Sequence, residues 1–133
     1  MHTGALVLVV DDDPSFRVML TQLLEQDGYA AIAAAGADRA LARLAETPAD
    51  VVVTDLVMPG RSGLSLLIDL HMEHPDVPAI AMTGDDDRVM RDAARALGAR
   101  RVLRKPFRSD ELLRAVDAVL TAGAGERVYA TRR

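Results

Sequence analysis

The residues of this chain that could do chemistry gather in four places. Three consecutive aspartates, Asp11, Asp12 and Asp13, follow the apolar run ALVLVV; Asp55 follows VVVT, Thr83 follows AIAM, and Lys105 follows RVLR. Lys105 is the only lysine among sixteen basic side chains. Where every other cation is an arginine, a retained lysine marks a position that needs a compact point charge and has no room for a guanidinium fork. Carboxylates sharing one crevice repel each other, so either their pKa values rise or a cation neutralises them. A hard divalent ion such as magnesium suits them: it takes one or two carboxylates, keeps several waters and bridges to phosphate. Asp13, directly before Pro14, is placed to cap a helix. Capping needs one aspartate of the three, which leaves Asp11 and Asp12 as metal candidates. Lys105 is then the group that pairs with a carboxylate and afterwards with one oxygen of an arriving phosphoryl group.

For these places to meet, the intervening elements must bring them to one edge. Five short apolar runs, at 5–10, 29–34, 51–54, 79–82 and 101–104, are expected to be strands. The first, third and fourth are continuous rather than alternating, as strands buried on both faces are. Amphipathic stretches separate them. Residues 14–27 start at Pro14 and stop before Gly28; 37–46 put Ala40, Leu41 and Leu44 on one face; 62–74 end before Pro75; 86–97 end before Gly98. The last, 109–120, takes Ser109 as its cap, with two acids in its first turn. Strand then helix, five times over, predicts an α/β fold: a parallel sheet with helices on both faces. Each candidate then lies at the carboxyl end of a strand, where open parallel sheets bind ligands. With strand order 2-1-3-4-5, strands 1 and 3 are neighbours where the winding reverses, and Asp11, Asp12 and Asp55 converge. Pro106 restrains the backbone after Lys105, and a cis bond there would aim the lysine inward.

The totals bound the answer. A chain of 133 residues fits one domain with a real core. That domain is expected over 1–122, with 123–133 a small, Gly-containing, linker-like tail. A net charge of -4 argues against nucleic acid as the main partner. There is no cysteine, hence neither disulfide framework nor thiolate chemistry, which suits the cytoplasm. The start of the chain lacks the marks of a signal peptide, and no run is long enough to span a membrane.

VLVVDDDP, VVVTDLVMPGRSGL, AIAMTG and VLRKPF resemble the motifs of response-regulator receiver domains, the phospho-accepting half of two-component signalling. The resemblance covers residues 5 to about 120, with four motifs in the right order. It implies a chemotaxis-receiver-like (βα)5 flavodoxin-like doubly wound sheet in the order 2-1-3-4-5. It implies Asp55 as the phosphoacceptor, a carboxylate nucleophile that forms an aspartyl phosphate. Asp12 would bind Mg2+ directly, Asp11 directly or through water, and Asp55 and the backbone carbonyl of Val57 would complete the protein's share, with Mn2+ as a substitute. Thr83 and Lys105 would each take a phosphoryl oxygen, Gly84 would leave the phosphoryl a way in, and Pro59, Gly60 and Gly63 would shape the loop after the acceptor. The phosphodonor would be a histidine kinase or histidine phosphotransferase. The phosphorylated face of helix 4, strand 5 and helix 5 would act on a protein target, as a monomer or a phosphorylation-dependent dimer. Such a stand-alone receiver is a switch rather than an enzyme, with catalysis confined to its own phosphorylation and dephosphorylation.

One residue departs from the family pattern. Val102 stands three before the lysine, where relatives carry a Tyr or Phe that turns inward when the threonine moves. Phosphoryl transfer does not need that ring, so the shift falls to Thr83 and residues Asp85 to Asp87. The alternatives are weaker. An unphosphorylated interaction module on this fold usually loses the acidic pair, the acceptor or the lysine, and all are present. A receiver fragment of a larger transcriptional regulator fits the same motifs. Phosphatases with an aspartyl nucleophile place a second Asp two residues on, where Val57 stands. A flavin binder needs a phosphate-cradling loop after strand 1, and DDDP would repel phosphate. Asp85 to Asp87 are expected to cap helix 4, and His71 and His74 to be solvent-exposed. The five internal methionines are expected to be scattered core or loop residues. Arg61 and the arginines at 88, 91, 95, 100, 101, 104 and 108 are expected to be paired surface charge.

Overall fold

The computed structural model describes residues 4–84 and 88–122. The elements alternate throughout: β1 (Leu6–Val10), α1 (Pro14–Gln26), β2 (Ala30–Ala34), α2 (Ala37–Glu46), β3 (Val51–Asp55), α3 (Gly63–Glu73), β4 (Ala79–Thr83), α4 (Arg88–Ala96), β5 (Ala99–Arg104) and α5 (Ser109–Ala122). All strand pairs are parallel and the order is β2-β1-β3-β4-β5, as expected.

The continuous apolar runs became the strands buried along their whole length, β1, β3 and β4. Side chains alternate across a strand, and the two faces of β1 feed two cores. Ala5, Val7 and Val9 join Leu20 and Leu24 of α1 and Leu112, Val116 and Leu120 of α5. Leu6, Leu8 and Val10 join Ala40 and Leu44 of α2 and Leu66, Leu67 and Leu70 of α3. The Ala-rich β2 and the Arg-rich β5 lie at the two edges, where a strand needs less apolar surface.

Helix ends follow local chemistry. The Asp13 carboxylate accepts the backbone N–H groups of Ser15 at 2.9 Å and Phe16 at 3.4 Å, capping α1 as predicted. At the other end Gly28, with φ 96°, supplies the left-handed turn that lets the Tyr29 N–H return to the Leu24 carbonyl. Helix α5 begins one residue earlier than expected. Ser109 is its first helical residue, and the Glu111 carboxylate reaches back to accept the Arg108 N–H at 2.9 Å. β5 begins two residues before the run Arg101–Arg104, at Ala99. The expected capping role of Asp85 to Asp87 and the tail at 123–133 lie outside the described residues.

Candidate functional site

Asp55 and Thr83 are the last residues of β3 and β4 rather than the first after them, a shift of one position. Both remain at the carboxyl edge: Asp55 beside the end of β1, where the winding reverses, and Thr83 one strand further on. Asp11, Asp12 and Asp55 each offer an oxygen there, all within 4.8 Å of one another. Asp11 and Asp55 are buried; Asp12 is exposed. These are the three carboxylates of the ligand set that the sequence proposed, whose fourth member was the Val57 carbonyl, and among the described residues no other such cluster occurs. Three converging carboxylate oxygens, one open to solvent, suit a hard divalent cation that retains water.

Lys105 reaches into the same place. Its Nζ donates to Asp11 Oδ2 at 2.8 Å and to Asp55 Oδ2 at 3.1 Å. The Lys105–Pro106 bond is cis. The Lys105 backbone N–H donates to the Thr83 carbonyl at 2.7 Å, which holds the lysine beside the end of β4. Asp11 is fixed from three sides. Its Oδ1 accepts the Asp13 N–H at 2.9 Å, its Oδ2 takes Lys105, and its carbonyl accepts Arg17 Nη1 at 2.7 Å. On Asp55, Oδ1 accepts the Val57 N–H at 3.3 Å. Thr83 is buried at the same edge, and Val57 is 64% exposed.

The charges are unequally balanced. Burial pushes the Asp55 carboxyl above its ordinary value, and its share of the Lys105 ammonium offsets only part of that; the Asp11 charge adds to the rise. Burial also works against the Lys105 charge. Two carboxylates outweigh it, so the lysine ends above its ordinary value. One ammonium serves two carboxylates, which is why the lysine gains more from the contact than Asp55 does.

The loop after Asp55 is held by residues whose roles the sequence showed only in outline. A Cβ on Gly63 would stand 2.1 Å from the Asp55 carbonyl oxygen, so only glycine lets α3 start against the Asp55 backbone. Arg61 ties the loop to its neighbours. It donates to Asp38 of α2 at 2.7 Å, to Ser65 of α3 at 2.9 Å, and to Asp69. Arg61 is thus paired, as expected, and so are Arg88, Arg95 and Arg108. Val102 is half-buried against the α2, α3 and α4 layer. His71 is exposed and His74 half-buried, and neither joins a metal-type cluster among the described residues. Met58 and Met82 are core residues, but Met19 and Met72 are 52% and 74% exposed on helices, because each falls on the outward side of its helix.

A family model for the response regulator receiver domain matches residues 7–117. The chain belongs to that family. Similar curated proteins include the C4-dicarboxylate transport transcriptional regulatory protein DctD of Rhizobium meliloti, 36% identical over 115 residues, covering 86% of this chain and 25% of that protein. The DNA-binding transcriptional regulator NtrC of Salmonella typhimurium is 36% identical over 116 residues, covering 87% and 25%. The receiver thus spans about a quarter of the length of these relatives. Among solved structures, chemotaxis protein CheY4 of Vibrio cholerae superposes with a TM-score of 0.82 at 30% identity, over 88% of this chain and 99% of that one. NtrX of Brucella abortus gives 0.89 at 28% identity, over 94% and 29%. The family is one of signalling domains and not of enzymes. No helix among the described residues is long and apolar enough to cross a membrane.

Proposed function

We propose that this receiver is a phosphorylation switch in which Asp55 accepts a phosphoryl group from a histidine kinase or histidine phosphotransferase. The observation that carries the reading is Lys105 Nζ within hydrogen-bonding distance of both Asp11 and Asp55, beside a third carboxylate on Asp12. Asp11, Asp12, Asp55 and the Val57 carbonyl would hold Mg2+, or Mn2+ in its place. The ion would supply positive charge to an incoming phosphoryl group that three carboxylates would otherwise repel. An oxygen of Asp55 bonds to phosphorus as the bond to the donor's leaving group breaks, and the leaving group departs with the electron pair. Lys105 keeps its proton and exchanges a carboxylate contact for a phosphoryl oxygen. The Thr83 hydroxyl takes another. Positioning and charge neutralisation do the rest, as in phosphoryl transfer generally. The chain's catalysis is confined to its own phosphorylation and dephosphorylation.

Phosphorylation shifts the face of α4, β5 and α5 toward or away from a partner protein. The output works without an aromatic at position 102. The net charge of -4 supports a protein target rather than nucleic acid. The cysteine-free composition suits the cytoplasm, and the receiver acts as a monomer or a phosphorylation-dependent dimer, with 1–122 as the domain and 123–133 as a linker-like tail. A second reading follows from DctD and NtrC, both named as transcriptional regulators and matched over a quarter of their length. In it the same switch is the input of a longer regulator, and the site chemistry is unchanged.

The test is intact mass after incubation with acetyl phosphate. One phosphoryl group should be gained in the presence of Mg2+, and none without the ion or in Asp55→Asn. A folded wild type that gains nothing under any condition would leave an unphosphorylated interaction module as the better reading.

A further inference from the structure

Lys105 touches more than carboxylates. Its Nζ lies 4.2 Å from the centroid of the Phe16 ring. Phe16 stands in the first turn of α1, and its N–H is one of the two that the Asp13 cap accepts. The cap that fixes the start of the helix therefore also fixes the root of the ring. From the other side Phe107, two residues beyond Lys105, meets Phe16 nearly edge-on, with centroids 6.1 Å apart and planes at 72°. Both phenylalanines of the chain are thus spent at this one site. Both are half-buried against the core layer beneath α1 and α5.

The geometry answers a problem that the carboxylates leave open. A lysine stem is flexible, and this one is 23% exposed, so its ammonium has other places to go. An aromatic face attracts a cation through its quadrupole but accepts none of the N–H bonds that the carboxylates use. The ring contact therefore adds to the two ion pairs instead of competing with them. Phe107 has its own place against the core, so it holds Phe16 without needing Lys105. Phe16 and Phe107 lie in the layer opposite to Val102, so neither stands in for the missing aromatic there.

We infer that Phe16 is a positioning residue for phosphorylation: its ring holds the Lys105 ammonium against Asp55, where the arriving phosphoryl oxygen must find it. This rests on Asp55 being the phosphoacceptor and adds a residue to that reading. In the step concerned, the bond from phosphorus to the acetate oxygen of acetyl phosphate breaks, acetate leaves with the electron pair, and an Asp55 oxygen takes the phosphoryl group. Lys105 stays protonated throughout. Leucine at position 16 would fill the apolar layer but would not attract a cation, so positioning and packing separate.

A single lysine makes the test direct. Protein labelled with 13C,15N-lysine gives one side-chain signal, that of Lys105, without assignment. In the wild type the ring should shift the protons next to Nζ upfield. Phe16→Leu should return them toward the free-lysine position and slow Mg2+-dependent phosphorylation by acetyl phosphate about three- to tenfold, the size of a partly exposed cation–π contact. Phe16→Tyr should keep both the signal and the rate. Replacing both phenylalanines with fluorinated analogues weakens the quadrupole without removing a ring, and the rate should fall with each added fluorine. That series carries the test if the leucine variant does not fold. A leucine variant with wild-type signal and rate, equal losses in the leucine and tyrosine variants, or a rate indifferent to fluorination would each overturn the role of Phe16 while leaving Asp55 as acceptor. A wild type that gains no phosphoryl group would overturn the switch itself, and the role of Phe16 with it.

Discussion

Gly63→Ala should cripple the fold beside Asp55, by an amount set by backbone overlap. The new Cβ would lie 2.1 Å from the Asp55 carbonyl oxygen, 2.7 Å from the Leu56 Cα and 2.9 Å from the Asp55 carbonyl carbon. All three are backbone atoms, so no side-chain rotation relieves the clash. The start of α3 would have to move off the end of β3, loosening the Gly63 N–H contact to the Leu56 carbonyl, now 3.0 Å. Overpacking a tight interior typically costs about 1–3 kcal/mol, and a clash wholly between backbone atoms belongs at or above the upper figure. With an unfolding entropy of roughly 2 cal/mol/K per residue, 1 kcal/mol lowers the melting temperature of a chain this size by about 3–4 °C. The variant should therefore melt about 10 °C or more below wild type, followed by far-UV circular dichroism. Melting within about 2 °C of wild type would mean a cost near 0.5 kcal/mol and would refute the tight approach of α3 to Asp55.

Gly84→Ala should do the reverse. Among the described residues nothing lies within 4 Å of the position its new methyl would take, so stability should change by less than about 1 kcal/mol, while acetyl phosphate should react more slowly if the proposed entry beside Thr83 is used. An unchanged rate by intact mass would remove Gly84 from the entry path. Asp55→Asn should be more stable than wild type at neutral pH without divalent cations. The folded-state pKa of Asp55 is raised, so its contribution to stability is fully present below about pH 4 and is lost as pH rises through the folded value. Asn mimics the protonated form, so urea titrations at several pH values should show its advantage shrinking as the pH falls; a less stable variant at pH 7 would contradict the raised pKa.

How legible each part was depends on the range of the interaction behind it. The five-fold strand–helix order was written in local pattern, because runs such as VVVT and ALVLVV have no solvent-facing alternation and fit only strands covered on both sides. The acidic cluster was legible because consecutive strand ends must share one edge once the sheet is parallel. Boundaries were less so. Asp55 and Thr83 close their strands because the backbone there still pairs with neighbouring strands, through contacts such as Leu56 N–H to the Met82 carbonyl. Arg61 resembled one of many surface arginines, since Asp38 and Asp69 meet it only after α2 and α3 dock. Phe16 carried no signal at all: a phenylalanine in the first turn of an amphipathic helix looks like core, and its contact with Lys105 joins the two ends of the domain, which only the finished sheet brings together.

The two edges of the sheet use buried carboxylates in opposite ways. At the amino edge Asp50 is fully buried just before β3, and its Oδ2 accepts the Leu6 N–H of β1 at 2.8 Å. That carboxylate joins two strands and serves the fold. At the carboxyl edge Asp11 and Asp55 share one lysine with each other and face the exposed Asp12, an arrangement that costs stability until positive charge arrives. The strands between the edges are largely apolar, and they carry one face into each core layer. The cost of crowding charge at one end is thus offset along the whole length of β1, β3 and β4 rather than locally. Neutralising the cluster, whether by a cation or by Asp55→Asn, removes a strain the fold already tolerates. Gly63→Ala strikes the scaffold that tolerates it.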